Sequence, residues 1–317
     1  MATGTAVGSI REAELTERRL SSLLRVADAH RTGMALGDIP DLLPRGGPAT
    51  EREVAEWLQR HPSSGAVVGG RAFGPSSGEG AGDLESRRQR GIQYWEFARE
   101  LRDGPLSGVR SMLRSVAVTG SAAYGEPEPG DDLDFLVVTR TGSIWVFLAY
   151  TYAALRFRAL PTRAAESPEP CFNFVLDDAE ARTEYANARS FLFAREALMA
   201  KPVYGDDYYQ GLLKSSSWMR EQLPRLFGRW EGEGLPDLQQ DRPAPLGVRV
   251  LNAVLYPWLA AYLQLRGLRL NRQYRRDGHP ERAFRTVTRY RRQTFESERF
   301  ERLTETYRPA DVYGSGP

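Results

Sequence analysis

Residues Val116 to Val138 read VAVTGSAAYGEPEPGDDLDFLVV. Ser115 to Thr119 has the β-branched, apolar character of a strand, and Leu133 to Thr139 (LDFLVVT) that of a second one. The first ends at Gly120-Ser121 and the second opens on Asp132-Leu133-Asp134. Gly120 lets backbone approach a ligand because it carries no side chain. Ser121 adds a hydroxyl beside exposed N–H groups, the kind of turn that holds a phosphate. Asp132 and Asp134 are two apart on extended backbone, so they share one face. Two carboxylates so placed repel each other unless a cation sits between them. Oxygen ligands of this kind suit Mg²⁺ or Mn²⁺, which also bind phosphate oxygens. Asp131 faces the other way and reads as a turn residue or a support for the pair.

This order of apolar strand, Gly-Ser, loop and Asp-apolar-Asp resembles the nucleotidyltransferase superfamily of DNA polymerase beta. The wider chain resembles prokaryotic nucleotidyltransferase-domain proteins that begin with a winged-helix-like segment. The matching stretches are Val118 to Thr139, Cys171-Phe172-Asn173, and Ala194 to Trp218. The resemblance implies an α+β fold whose core is a mixed sheet with helices packed on one side. It also implies catalytic and metal-binding roles for Asp132 and Asp134, and nucleotide binding at Gly120 and Ser121. The superfamily's third carboxylate falls in CFNFVLDD, where Asn173 holds the mid-strand place and Asp177 or Asp178 could substitute. An amide cannot take a proton and is a poorer Mg²⁺ ligand. Lys201 and Tyr204 follow a helix carrying Glu196, and Lys201 is a candidate phosphate contact.

Outward from this core, three regions are expected. Residues 1–75 read as a winged-helix-like domain. Its elements are a helix over Ile10 to His30, a short helix over Leu36 to Leu43, and a third helix opened by Thr50 with Glu53 as capping-box partner. A hairpin follows, turning at Gly69-Gly70. Residues 83–205 form the expected core. It includes a helix from Asp83 with apolar positions Ile92, Trp95, Phe97, Ala98 and Leu101, one from Ile144 to Phe157, a strand from Cys171 to Leu176, and a helix from Tyr185 to Ala200. Residues 206–317 read as a helical C-terminal region ending in helices over Val248 to Leu270 and Arg282 to Tyr307.

Composition sets the remaining limits. The net charge is +2, so bulk charge points to no partner. One cysteine, Cys171, precludes an internal disulfide and the usual zinc sites. The N-terminus lacks a basic head and apolar run, which reads as cytoplasmic. Two apolar stretches, Ile144 to Leu155 and Val250 to Leu265, read as core helices rather than membrane segments. The second is broken by Pro257. Arg266, Arg269, Arg272, Arg275, Arg276, Arg282, Arg285, Arg289, Arg291 and Arg292 crowd the end of the chain with Tyr274, Phe284 and Tyr290 among them. They suit a nucleic-acid backbone or an acidic acceptor, or form a solvated face neutralised by Glu296, Glu298, Glu301 and Glu305. Arg87, Arg88 and Arg90 head the helix before the core, where they oppose the helix dipole unless an anion is near, which favours phosphate contact.

The expected activity is transfer of a nucleoside monophosphate from an NTP to an acceptor, with release of pyrophosphate. A small molecule, an RNA end and a protein side chain are all open as acceptors. The alternative is a catalytically weak nucleotide- or nucleic-acid-binding regulator on the same fold.

Overall fold

A computed structural model describes residues 16–17, 19–21, 23–24, 33–43, 47–75, 84–124, 127–157, 168–188, 190–232, 234, 236–280 and 283–297. Its frame is a six-stranded mixed sheet in the order β7-β4-β5-β6-β9-β8. The central strands are β4 (Leu113–Val118), β5 (Leu133–Thr139) and β6 (Pro170–Asp177). β4 and β5 are antiparallel, whereas β5 and β6 are parallel. The parallel pair needs a crossover, supplied by α4 (Ile144–Phe157). On one edge lies β7 (Lys201–Tyr204), and on the other the hairpin β8 (Phe284–Arg289) and β9 (Arg292–Ser297).

Alternation along the strands divides the sheet between two cores. Ala117, Leu136, Val138 and Leu176 face one way. They pack with α5 (Asp178–Asn187), α6 (Phe191–Met199), α7 (Asp206–Lys214) and α8 (Trp218–Gln222) through Tyr185, Leu192, Tyr209 and Trp218. Val116, Phe135, Val137, Phe172 and Val175 face the other way, onto α2 (Leu84–Asp103), α4 and α10 (Leu246–Arg276). Helices therefore cover both faces, not one. The central strands require it, because they are apolar on both sides.

The N-terminal region holds most of its expected elements. Leu20, Leu23 and Leu24 are buried helical residues, while 10–15 and 25–30 of the expected helix lie outside the described residues. Residues 36–42 form two 3₁₀ turns. Helix α1 (Glu51–Arg60) has the reciprocal cap: Thr50 Oγ1 accepts from Glu53 N at 3.2 Å, and Glu53 Oε2 from Thr50 N at 3.1 Å. The hairpin β2 (Ala66–Val68) and β3 (Arg71–Phe73) gains a third strand, β1 (Met34–Ala35). Arg225, from α9 (Pro224–Gly232), ties this region to the rest by donating to the carbonyls of Pro40, Gly47 and Pro48.

Five further expectations fail. The helix over Tyr185 to Ala200 is two helices: the first starts earlier, where Asp177 caps it by accepting from Glu180 N, and the second starts after Ser190, whose backbone is extended. Ile92 is 53 % exposed, and Tyr94 takes the buried place. The segment read as a last helix from Arg282 is the hairpin β8–β9 over 284–297, with 298–307 outside the described residues. Pro257 does not break α10, which runs unbroken for 31 residues. Nor is α10 a core helix: Asn252, Ala260, Leu263 and Gly267 are buried, while much of its apolar surface faces water.

Asn252 anchors α10. Its Oδ1 accepts at 2.7 Å from Trp145 N, one of the free N–H groups in the first turn of α4. Removing the acceptor leaves a buried donor unpaired. Asn252→Ala is expected to cost about 1–3 kcal/mol in urea unfolding, against a near-neutral result for the exposed neighbour Ala253→Ser.

Candidate active site

β4 and β5 are antiparallel, so the end of the first and the beginning of the second lie together. Thr119 N donates to the Asp134 carbonyl at 3.0 Å, which closes the ladder one step beyond the strand. The chain then turns into the short helix α3 (Gly120–Ala123) at Gly120, whose φ of +65° belongs to the left-handed region. A Cβ there would stand 2.9 Å from Asp134 Oδ2. Glycine is required on both counts.

The Asp134 carboxylate thus lies against the Gly120 backbone, and other groups fix it from the sides. Asn173 Nδ2 donates to Asp134 Oδ1 at 2.9 Å. The irregular register between β5 and β6 beyond Asp134 and Cys171 accompanies this contact. The Cys171 thiol also bonds the carboxylate. Asn173 therefore occupies the place beside the aspartate pair. Its own Oδ1 is buried with no hydrogen-bond partner among the described residues.

Charge at this point is one-sided. Burial pushes the Asp134 carboxyl up to about 8, and Asp132, Glu196 and Asp131 add repulsion. Burial and the Asp134 charge push the Cys171 thiol well above its ordinary value. Asp132, just before β5, is exposed to solvent. Ser121 Oγ donates to Asp131 Oδ2 at 2.8 Å, and Glu128 N donates to the same oxygen at 2.8 Å. Asp131 thus holds the Gly-Ser turn and the loop together, as the reading of it as a support expects. Arg90 Nε donates to Pro127 O at 3.2 Å, and Arg87 pairs with Glu128 at 3.5 Å. These arginines hold the loop that carries Asp131.

Some neighbours were not legible as site residues. The Tyr124 hydroxyl donates to Glu196 Oε1. Arg195, only 8 % exposed, lies over the Tyr124 ring at 4.9 Å and within 4.0 Å of Glu196. Tyr124 lies in the stretch Val118 to Thr139, and Arg195 and Glu196 in that from Ala194, but no spacing brings the three together. Lys201, the first residue of β7, pairs with Val118 of β4 at the Gly-Ser end of the sheet, with its ammonium 5.6 Å from the Trp95 ring centroid. Burial holds that ammonium below its ordinary value.

The other candidates lie elsewhere. Asp177 caps α5, and Asp178 is buried against Arg182, Tyr208 and Arg114. Thr139, not Asp134, is the strand neighbour of Asp177, so neither aspartate substitutes at the Asn173 place. Tyr204 Oη donates at 3.5 Å to Arg110 O, toward the other end of the sheet. A polar cavity of about 890 Å³ opens there, lined by Arg114, Arg140 and Asp206 among others, away from Asp134. His61 stacks on Trp57 at 4.1 Å and is structural.

Among the described residues, no group of three or more His, Cys, Asp and Glu side chains is arranged to hold a metal ion. The donor set is instead two carboxylates and the orphan amide oxygen of Asn173. It fits a hard cation that keeps several waters and phosphate oxygens as its remaining ligands. No protein-family profile, curated protein or solved structure matches the chain.

A carboxyl whose folded-state value lies above its unfolded value is favoured as the acid. Its contribution to stability is complete below pH 4 and is lost as pH rises through about 8. Asp134→Asn is therefore expected to raise metal-free stability at pH 8 by roughly 1–3 kcal/mol and to change it little at pH 4. Thermal melts across pH, with and without Mg²⁺, check this: added Mg²⁺ is expected to stabilise the wild type alone.

Proposed function

We propose that the protein transfers a nucleoside monophosphate from an NTP to an acceptor in a metal-dependent reaction. The observation that carries this reading is the Asp134 carboxylate packed on the Gly120 backbone and oriented by Asn173, with Asp132 beside it. The resemblance to polymerase beta-type nucleotidyltransferases rests on the same residues.

In this reading Gly120 and the N–H groups after it receive the triphosphate, because no side chain bars their approach. Ser121 is kept in position by Asp131. Asp132 and Asp134 would hold Mg²⁺ or Mn²⁺, with Asn173 Oδ1 as a further neutral donor. The bound ion supplies charge neutralisation on the phosphates and lowers the pKa of a hydroxyl nucleophile. The acceptor oxygen forms a bond to the α-phosphorus as the bond to the β-phosphate bridging oxygen breaks. Pyrophosphate leaves with that electron pair, and the hydroxyl proton passes to solvent. Arg195 and Lys201 are the nearby cations for the leaving charge.

A second reading is favoured by Asn173 itself. An amide takes no proton, so the acceptor strand offers no general base. A nucleotide-binding regulator would need the Gly120 turn and the cation but no turnover.

Purified protein incubated with each labelled NTP, Mg²⁺ or Mn²⁺ and host extract is expected to transfer label. Asp132→Ala is expected to reduce transfer at least ~100-fold with an unchanged melting curve. Equal turnover in that variant would remove Asp132 from the site. Nucleotide binding without pyrophosphate release, in wild type as in the variant, would establish the regulator.

A further inference from the structure

α10 presents one face to the protein and a chemically distinct one to solvent. Leu246, Val250, Val254, Trp258, Tyr262 and Leu265 recur at spacings of four and three, which places them along one side of the helix. Each is between 55 and 75 % exposed. Scattered exposed apolar residues are ordinary, but a contiguous stripe of this length marks an interaction surface. The same side continues into Arg269, Arg272, Arg275 and Arg276, for which no ion-pair partner is found among the described residues. Across its 31 residues α10 has six arginines and no acidic residue.

We propose that this face is a docking surface for an anionic lipid bilayer, with α10 lying in the plane of the interface. The two halves of the surface select the occupant. A second copy of the chain would cover the stripe, but a helix free of acidic residues brings no counter-charge to the arginines. A nucleic acid would neutralise the arginines and leave Trp258 and Leu265 in water. A bilayer accepts both: apolar side chains enter the acyl boundary, guanidinium groups meet headgroup phosphates, and Trp and Tyr rings favour the zone between.

By length and composition alone the helix could cross a membrane. Its inner face argues for lying on one instead. Asn252 bonds Trp145 N, and the Asn271 amide both donates to Phe284 O at 2.6 Å and accepts from Phe284 N at 3.0 Å. Crossing would strip the helix from α4 and β8 and break these bonds.

The test is flotation of the full chain with vesicles of phosphatidylcholine, alone or mixed with phosphatidylglycerol. Binding is expected only to the mixed vesicles and to weaken with salt. Val254→Asp/Trp258→Asp is expected to abolish it. Arg269→Gln/Arg272→Gln is expected to lower partitioning roughly tenfold or more. All four positions are exposed, and unchanged circular dichroism would show the fold intact. No binding to the mixed vesicles overturns the proposal. So does binding that survives the Val254/Trp258 substitutions. Dimerisation lost in that variant without vesicle binding would assign the face to a second copy. RNA binding lost only in the arginine variant, without vesicle binding, would assign it to nucleic acid.

Discussion

The Asp134 carboxylate leans on the Gly120 backbone, where any Cβ would come within 2.9 Å of it, and this contact constrains what surrounds it. Gly120 has a positive φ, so β4 ends there and the chain enters the short helix Gly120–Ala123, whose first N–H groups lack intrahelical partners. β5 must start antiparallel beside it to bring Asp134 in. β6 runs parallel to β5 on the other side and brings Asn173 and Cys171 to the carboxylate. The parallel pairing in turn demands the α4 crossover, and α4 is what α10 packs on. The placement of one charged group thus propagates to the outer layer.

The electrostatics of that placement run against stability. Burial and the charges of Asp132, Glu196 and Asp131 all disfavour ionised Asp134. Arg195 lies near Glu196, but burial and repulsion still hold the acid form. A divalent cation would reverse the balance, since it rewards the ionised form of each carboxylate it touches. A fold selected only for stability would place an apolar residue at position 134, as it does at Phe135 and Val137 on the opposite face. The retained repulsion is the kind of local inconsistency expected of a working site.

Much of this was legible in the sequence because the pattern is local. Leu133 to Thr139 and Ile144 to Phe157 have the expected bounds, since unbroken apolar runs flanked by Asp, Gly and Ser leave little choice. Thr50 and Glu53 announce a helix start by chemistry within one turn. The failures are non-local. RTVTRYRRQTFES carries the β-branched residues of a hairpin, but its charges also suit a helix, and only the free edge of β6 decides between them. Glu196 and Arg195 reach the site because α6 folds back toward Tyr124, which no spacing encodes.

α10 shows the limit most clearly. Its composition fits a core helix or a surface helix equally, because periodicity reveals an apolar face and not what covers it. Here the covered side is the mixed one, held by Asn252, Gly267 and Asn271. Gly267 leaves no room for a Cβ beside Thr286, and the two asparagines satisfy backbone groups of α4 and β8. Close approach and directional bonds work here beside ordinary packing by Leu255, Tyr256, Leu259 and Leu263. A second set of large apolar side chains, from Leu246 to Leu265, is left to the solvent face. Tyr262 and Arg266 also act electrostatically on Tyr152, and Arg266 on Cys171. The helix that carries the exposed stripe therefore borders the strand that orients Asp134.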